Sequence, residues 1–586
     1  MHQIHAGMGA ILHDRGVSFR VWAPHAKSVR VIGSFNDWKP DALPMLPEEN
    51  GYWAVDTPDA KPGDEYRFAI DTGEEMLNRI DPYAKQVTNS VGNAVVYQDN
   101  FDWGQDHFVC AALNELVIYE LHVGSFAKSG VEKPGTLDSA RERLGYLAQL
   151  GINAVELMPV QEFAGDLSWG YNPSHPFAVE GAYGGPDALK RFIQAAHEHG
   201  IAVILDVVYN HFGPSDLDLW RFDSWHEGEG GGIYFYNDWR AETPWGATRP
   251  DYGRPEVRQY LHDNAMMWLR EYRADGLRYD ATVYIRKVNG AADPTGDLPD
   301  GWSLVQWINQ TVRDQFPGKV LIAEDLQNNE YLTKATAEGG AGFHAQWTAN
   351  FVHPLRQILT TPLDEHRSMQ SLVDLLSATF NGDPFQKLIY SESHDEVANG
   401  KARVVQEVDP ANPESWYARK RATLGSAITL IAPGTPMLFQ GQEFLTPGWF
   451  EDSDPLDWSR AERFSGIVAL HRDLIHHRLN RSGKTRGLTG SHLEVTLLNE
   501  EQKLLSAIRR HTGGAGDDTV IVLNASANGA VGVELRFPSP GLWRLRLSSA
   551  AMIYDPDFGG QVRDVEAGET ARVNVPPYAL LIFSQD

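Results

Sequence analysis

Four short apolar runs in this chain each finish on an acid or a histidine. Val203-Ile-Leu-Asp206 leads on to Asn210 and His211. Asp275-Gly-Leu-Arg-Tyr-Asp280 sets Leu277 and Tyr279 beside Arg278 and Asp280. Val320-Leu-Ile-Ala-Glu324 closes on Glu324, and Leu388-Ile-Tyr-Ser-Glu-Ser-His-Asp395 closes on His394 and Asp395. Runs this short and apolar read as buried strands. A buried charge is unfavourable unless paired, so acids at such strand ends need a reason. Strands that deliver polar groups from their C-terminal ends describe the functional face of a (β/α)₈ barrel.

The sequence between these runs supports that fold. Leu144, Leu147 and Leu150 mark one face of a helix that Gly151 stops, and a strand follows over 153–158. Residues 188–199 read as a helix stopped by Gly200, directly before the strand ending at Asp206. This βαβα alternation predicts parallel strands with right-handed crossovers. Adding strands near 116–122, 343–346 and 436–439 brings the count to eight. The expectation is an α/β catalytic barrel over 109–478. Residues 210–256 are rich in Gly, Trp, Tyr and Asp without a helical period, and read as an inserted lobe beside the active site.

Both flanks read as β-sandwiches. In 1–108, Val17-Ser-Phe-Arg-Val-Trp22 and Ser28-Val-Arg-Val-Ile-Gly33 alternate with period two. In 479–586, Thr519-Val-Ile-Val-Leu523, Gly541-Leu-Trp-Arg-Leu-Arg546 and Ala571-Arg-Val-Asn-Val575 do the same, and Val575-Pro-Pro-Tyr-Ala-Leu-Leu-Ile582 reads as a closing strand. Three domains suit 586 residues.

Several function classes are disfavoured. A formal net charge of -27 argues against nucleic acid and anionic membranes as partners. One cysteine, Cys110, leaves no internal disulfide and no cysteine zinc site. No apolar leader and no long apolar run is seen, so a cytoplasmic location is expected. There is no Gly-x-Ser-x-Gly elbow and no Gly-x-x-x-x-Gly-Lys loop, and the glycines at 228–232 lack a strand before them.

Asp280, Glu324 and Asp395 end three different strands. Paired carboxylates suit glycosidic bond cleavage, one as nucleophile and one as a proton donor kept protonated by its surroundings. Arg278 points to the same face as Asp280 and would hold it ionised. For any one acid a structural ion pair is the stronger reading; for three on three strand ends it loses. His122, His211 and His394 with Asp206 include metal-ligand types, but no His-x-x-x-His spacing joins them. Hydrogen bonding to sugar hydroxyls is the better reading for His211 and His394, and a core role for His122. Trp169-Gly-Tyr171 reads as a stacking platform or a packed loop corner, and Glu443 as a structural or outer-subsite group.

On these motifs the chain resembles the α-amylase family, glycoside hydrolase family 13. Asp206-Val-Val-Tyr-Asn-His211, Gly276-Leu-Arg-Tyr-Asp280, Ala323-Glu324-Asp325 and Ser393-His-Asp395 are similar to its four signature segments, in order. The resemblance implies Asp280 as nucleophile, Glu324 as acid/base and Asp395 as transition-state stabiliser. It implies that Tyr171, Asp206, His211, Arg278 and His394 bind the innermost sugar, and that a covalent glycosyl intermediate forms on Asp280. Val17 to Pro24, Val31 to Trp38 and Tyr390 to Val397 look like branching members, whose substrate is an α-glucan. The Tyr119-Glu-Leu-His-Val-Gly124 strand and residues 206–213 look as much like trehalose-releasing hydrolases of maltooligosaccharides. Two positions depart from the branching pattern: Tyr209-Asn210 where smaller residues are expected, and Asp325 where a second Glu is expected. No metal or other cofactor is expected. A hydrolase of the same family and a catalytically silent glucan-binding protein are the other readings.

Overall fold

The computed structural model describes residues 5–128, 130, 132–290 and 293–586. Its centre is a closed parallel barrel of eight strands: β1 (Ile118–Leu121), β2 (Ala154–Leu157), β3 (Ala202–Val207), β4 (Gly276–Tyr279), β5 (Val320–Ala323), β6 (Ala345–Trp347), β7 (Lys387–Ile389) and β8 (Thr435–Phe439). The ring closes where Met437 of β8 lies opposite Ile118 of β1. Every residue of these strands is buried, which explains near-continuous apolar runs in place of alternation.

The crossovers carry their own start and stop signals. Gly151 ends the helix Leu144–Leu150 with φ 106°, a conformation that a side chain would strain, and its N–H bonds Leu147 O. Prolines open the helices Pro255–Arg270 and Pro299–Gln315, where no intrahelical N–H is missed. Among the described residues no helix is long and apolar enough to cross a membrane.

Two antiparallel sheets precede the barrel. One joins Gly9–His13, Gly16–Trp22, Tyr52–Thr57 and Leu46–Pro47; the other joins Ser28–Gly33, Glu65–Asp71, Met76–Arg79 and Ala94–Val95. They pack through Phe19 against the edge of Tyr66, with ring centroids 4.9 Å apart. After the barrel a six-stranded sheet runs from His492–Asn499 to Val565–Ala567, beside a pair of Ala530–Arg536 with Thr570–Val575. The closing run over 575–582 is not one strand. Pro576, Pro577 and Tyr578 turn the chain, Tyr578 with φ 41°, and the last strand is Ala579–Ser584. Proline supplies no ladder donor, so the apolar run divides there. The hairpin of Gln161–Phe163 with Pro173–Val179 was not expected; it carries the chain from β2 past Trp169 and Tyr171.

The segment between β3 and Pro255 has little regular structure beyond the short turn Trp239–Ala241. It is anchored to the first sheets. Asp223 accepts from the His25 N–H at 3.0 Å, Asp218 accepts from the Ile80 N–H at 2.7 Å, and the rings of His25 and Trp225 stack at 4.7 Å.

Candidate active site

β4 ends on Tyr279, so Arg278 looks inward and Asp280 starts the loop above it. The Arg278 guanidinium is fully buried and faces three carboxyl groups. Its Nη1 is 2.7 Å from Asp206 Oδ2, at the end of β3, and 3.0 Å from Asp280 Oδ1. Its Nη2 is 3.7 Å from Glu324 Oε2, just beyond β5. Burying three like charges is prohibitive, whereas one shared cation and partial protonation make it tolerable. Burial pushes Asp206 up to about 7 against the pull of Arg278. Asp280 is also raised by burial, with Arg278 and Asn210 opposing and the Asp395 charge adding.

Glu324 is held from the β4 side. Ala281 adopts a left-handed conformation (φ 39°, ψ 52°), rare for a residue with a side chain. That turn aims its N–H at Glu324 Oε2, 2.5 Å away. Thr282 donates its N–H (2.7 Å) and its hydroxyl (2.8 Å) to the Glu324 carbonyl. Asp325, the departure from the branching pattern, takes a bidentate pair from Arg286 at 2.8 Å each and ties the two loops together. Burial pushes the Glu324 carboxyl up to about 8; Arg278 opposes, and the charges of Asp280 and Asp395 add to the rise. The push favours the protonated acid on Glu324, while the two oxygens of Asp280, equally buried, each take a hydrogen bond, from Arg278 and Asn210.

The loop after β7 brings His394 and Asp395. Asp395 opens to solvent, with 46% of its side chain exposed, and its Oδ2 is 3.5 Å from His394 Nε2. The other nitrogen of that ring meets Glu120, a buried acid inside β1. Glu120 Oε1 is 2.5 Å from His394 Nδ1, and Oε2 accepts from the His394 N–H at 3.0 Å. Burial disfavours the imidazolium, but Asp395 and Glu120 outweigh it and push His394 up to about 9. Tyr171 stacks on this ring at 4.9 Å and donates its hydroxyl to Asp206 Oδ2 at 2.7 Å. Trp169 meets the same imidazole edge-on at 5.7 Å.

Other expected residues take different parts. His211 is fully buried; one ring nitrogen meets Asn210 Oδ1, the other lies 3.0 Å from Asn172 Oδ1, and burial lowers it to about 3. A neutral imidazole has one N–H, so it can donate to only one of these amide oxygens; donated to Asn210 Oδ1, that proton orients Asn210. Asn210 Nδ2 donates to Asp280 Oδ2 at 2.8 Å and to the Asp280 carbonyl at 2.9 Å. His122 is a satisfied core histidine, with partners Ser125, Ser168 and Tyr183. Glu443 is wholly buried and accepts from the hydroxyls of Tyr119 and Tyr146 at 3.0 Å each, which rules out an outer subsite. Sequence reasoning missed Glu120 and Asn210 as supports. The signal for Glu120 was an acid inside an apolar strand. Among the described residues no cluster of three His, Cys, Asp or Glu is arranged to hold a metal ion.

Comparison with known proteins gives the family and the fold. The family model for the alpha amylase catalytic domain matches residues 120–226 and 220–473, and that for carbohydrate-binding module 48 (isoamylase N-terminal domain) matches 7–84. The 1,4-alpha-glucan branching enzyme GlgB of Corynebacterium jeikeium is 32% identical, covering 94% of this chain and 78% of the relative. The enzyme of the same name from Oceanobacillus iheyensis is 27% identical, covering 97% and 93%. Among solved structures, pullulanase type I from Bacillus subtilis, complexed with maltose, superposes with a TM-score of 0.76 at 26% identity, covering 100% of this chain and 86% of that one. A putative alpha amylase from Salmonella typhimurium shares the fold, with a TM-score of 0.75 at 22% identity and coverage of 99% and 100%. The chain belongs to the α-amylase family, glycoside hydrolase family 13.

Proposed function

We propose that this chain is a retaining 1,4-α-glucan branching enzyme. Asp280 attacks C1 of a 1,4-linked glucose unit while Glu324 gives its proton to the departing glycosidic oxygen. The C1–O bond breaks and a glycosyl ester forms on Asp280. Glu324, now ionised, takes the proton of a 6-hydroxyl on another chain. That oxygen displaces Asp280, forming the 1,6 link and restoring both carboxyl groups. Asp395 stabilises positive charge at C1 in both transition states. Tyr171, Asp206, Arg278 and His394 hold the sugar being attacked, and His211 acts through Asn210.

The observation that carries this chemistry is one buried guanidinium set between Asp280 and Glu324, with Glu324 pushed up to about 8. The choice of acceptor is supported by relatives whose names are 1,4-alpha-glucan branching enzymes across 94% or more of this chain. A hydrolase is the second reading, favoured by the 26% identity to a pullulanase over the whole chain. The same acids would serve water as acceptor. Incubation with amylose and with maltooligosyltrehalose separates them. New α-1,6 linkages seen by NMR support branching. Free trehalose, or new reducing ends without 1,6 links, rejects it in favour of hydrolysis.

A further inference from the structure

The tip of the lobe between β3 and Pro255 carries an exposed tryptophan, Trp245, with 39% of its surface open. One face of the indole lies flat on His211, at 4.5 Å and 14°. The indole makes a T-shaped contact with Tyr284, in the helix Thr282–Arg286 that follows Asp280, at 5.2 Å and 79°. Two side chains, His211 and Asn210, separate it from the Asp280 carboxylate. Single exposed aromatics are ordinary on protein surfaces. This one is unusual in how firmly it is held.

Thr243 and Gly246 exchange backbone hydrogen bonds at 3.0 and 3.2 Å, and Gly246 has φ 137°, a value that a side chain would strain. The Thr243 hydroxyl donates to Gly246 O at 2.7 Å and accepts from the Trp245 N–H at 3.2 Å. Three residues on, Arg249 is fully buried. It donates to the carbonyls of Arg240 (2.7 Å) and Glu242 in the lobe, and to those of Tyr284, Lys287 (3.0 Å) and Val288 (2.8 Å) beyond β4. Five carbonyls thus satisfy a buried cation and bolt the lobe to the loop after Asp280. The ordering entropy of the indole is spent in folding and is not charged again to ligand binding. Such a firmly held ring, with 39% of its surface open, suits a pyranose, whose C–H face is apolar and whose hydroxyls stay in water.

We propose that Trp245 is a stacking platform for a glucosyl unit of the α-glucan, next to the unit held by Tyr171, Asp206, Arg278 and His394. This rests on the reading of the chain as an α-glucan enzyme and adds a residue that sets chain binding. The test uses the full chain carrying Asp280→Asn, so that maltoheptaose binds without turnover. Calorimetry should show Kd rising about tenfold on adding Trp245→Ala and about threefold or less on adding Trp245→Phe. Maltoheptaose should also shield Trp245, but not the exposed Trp239, from N-bromosuccinimide oxidation read by peptide mass spectrometry. This second measurement needs no substitution at 245 and holds even if Trp245→Ala folds poorly. Maltoheptaose binding with unchanged Kd in Trp245→Ala and no shielding of Trp245 overturns the platform alone. Absence of any maltoheptaose binding overturns the glucan reading together with it.

Discussion

Arg278 Nη1 lies 3.0 Å from Asp280 Oδ1, two residues along the same strand end. Residues i and i+2 of a strand face the same way, so this pairing is set by local geometry. The other oxygen of Asp280 takes the Asn210 amide at 2.8 Å. Glu324 has one amide donor, and Arg278 stands off at 3.7 Å. Of the two acids, Asp280 is therefore the one better kept ionised, and Glu324 the one better kept protonated.

Replacing Asp280 with Asn removes the nucleophile; its one oxygen still accepts from Arg278 or Asn210, and Arg278 keeps Asp206. Turnover of amylose should fall by about four orders of magnitude or more. The melting temperature at neutral pH should not drop, because a carboxyl raised by burial is unfavourable when charged. Initial rates and a thermal melt check both; retained turnover sinks the nucleophile assignment.

The pH profile follows from Glu324. Its folded value, about 8, lies above the usual 4.5, so the proton-donating form is present below about 8 and lost above it. The rate of amylose consumption should fall tenfold per pH unit above that point. A profile flat to about pH 10 contradicts Glu324 as the acid.

Glu120 acts through His394. In Glu120→Gln the imidazolium keeps Asp395 as an attractive partner, with Tyr171 and Arg278 still facing it, but loses its buried counter-charge. His394 should then lose its proton at lower pH. The imidazole resonance of His394, followed by NMR, should titrate lower by about one pH unit. A purely structural role for Glu120 would lower stability and leave that titration where it is.

Much of this site could be read from the sequence because its members interrupt apolar runs. Asp206 and Arg278 interrupt their apolar strands near the C-terminal end, and Glu324 and His394 follow theirs in the loops, a pattern that a charged pocket justifies. What escaped depended on partners far away in the chain. Glu120 meets His394 across the barrel, 274 residues on, and a lone acid in β1 says nothing of that. Arg249 looked like any arginine in a loop until the loop after β4 supplied three of its carbonyls. The run at 575–582 misled because strand propensity was weighed above Pro576-Pro577, which bar a ladder.

Glu443 makes a stability prediction of definite sign. Burial pushes it up to about 7 from 4.5, against its bonds to Tyr119 and Tyr146. The folded chain then holds the proton more tightly than the unfolded chain. The stability this contributes is full below about 4.5 and lost as pH rises through about 7. The loss is on the order of 3 kcal/mol. Glu443→Gln should remove that part of the decline, seen as a smaller difference between urea midpoints at about pH 5 and about pH 8 than in the parent. Equal differences in both chains would refute a raised Glu443.

The central claim is that Asp280 forms the covalent bond to sugar. In the Glu324→Gln chain, an α-maltosyl fluoride needs no acid to leave but the ester should break down slowly. After a denaturing quench and proteolysis, mass spectrometry should find one maltosyl group on the peptide containing Asp280, and none when Asp280 is Asn. A maltosyl group on another carboxylate, or fluoride release at full rate without Asp280, would contradict the account.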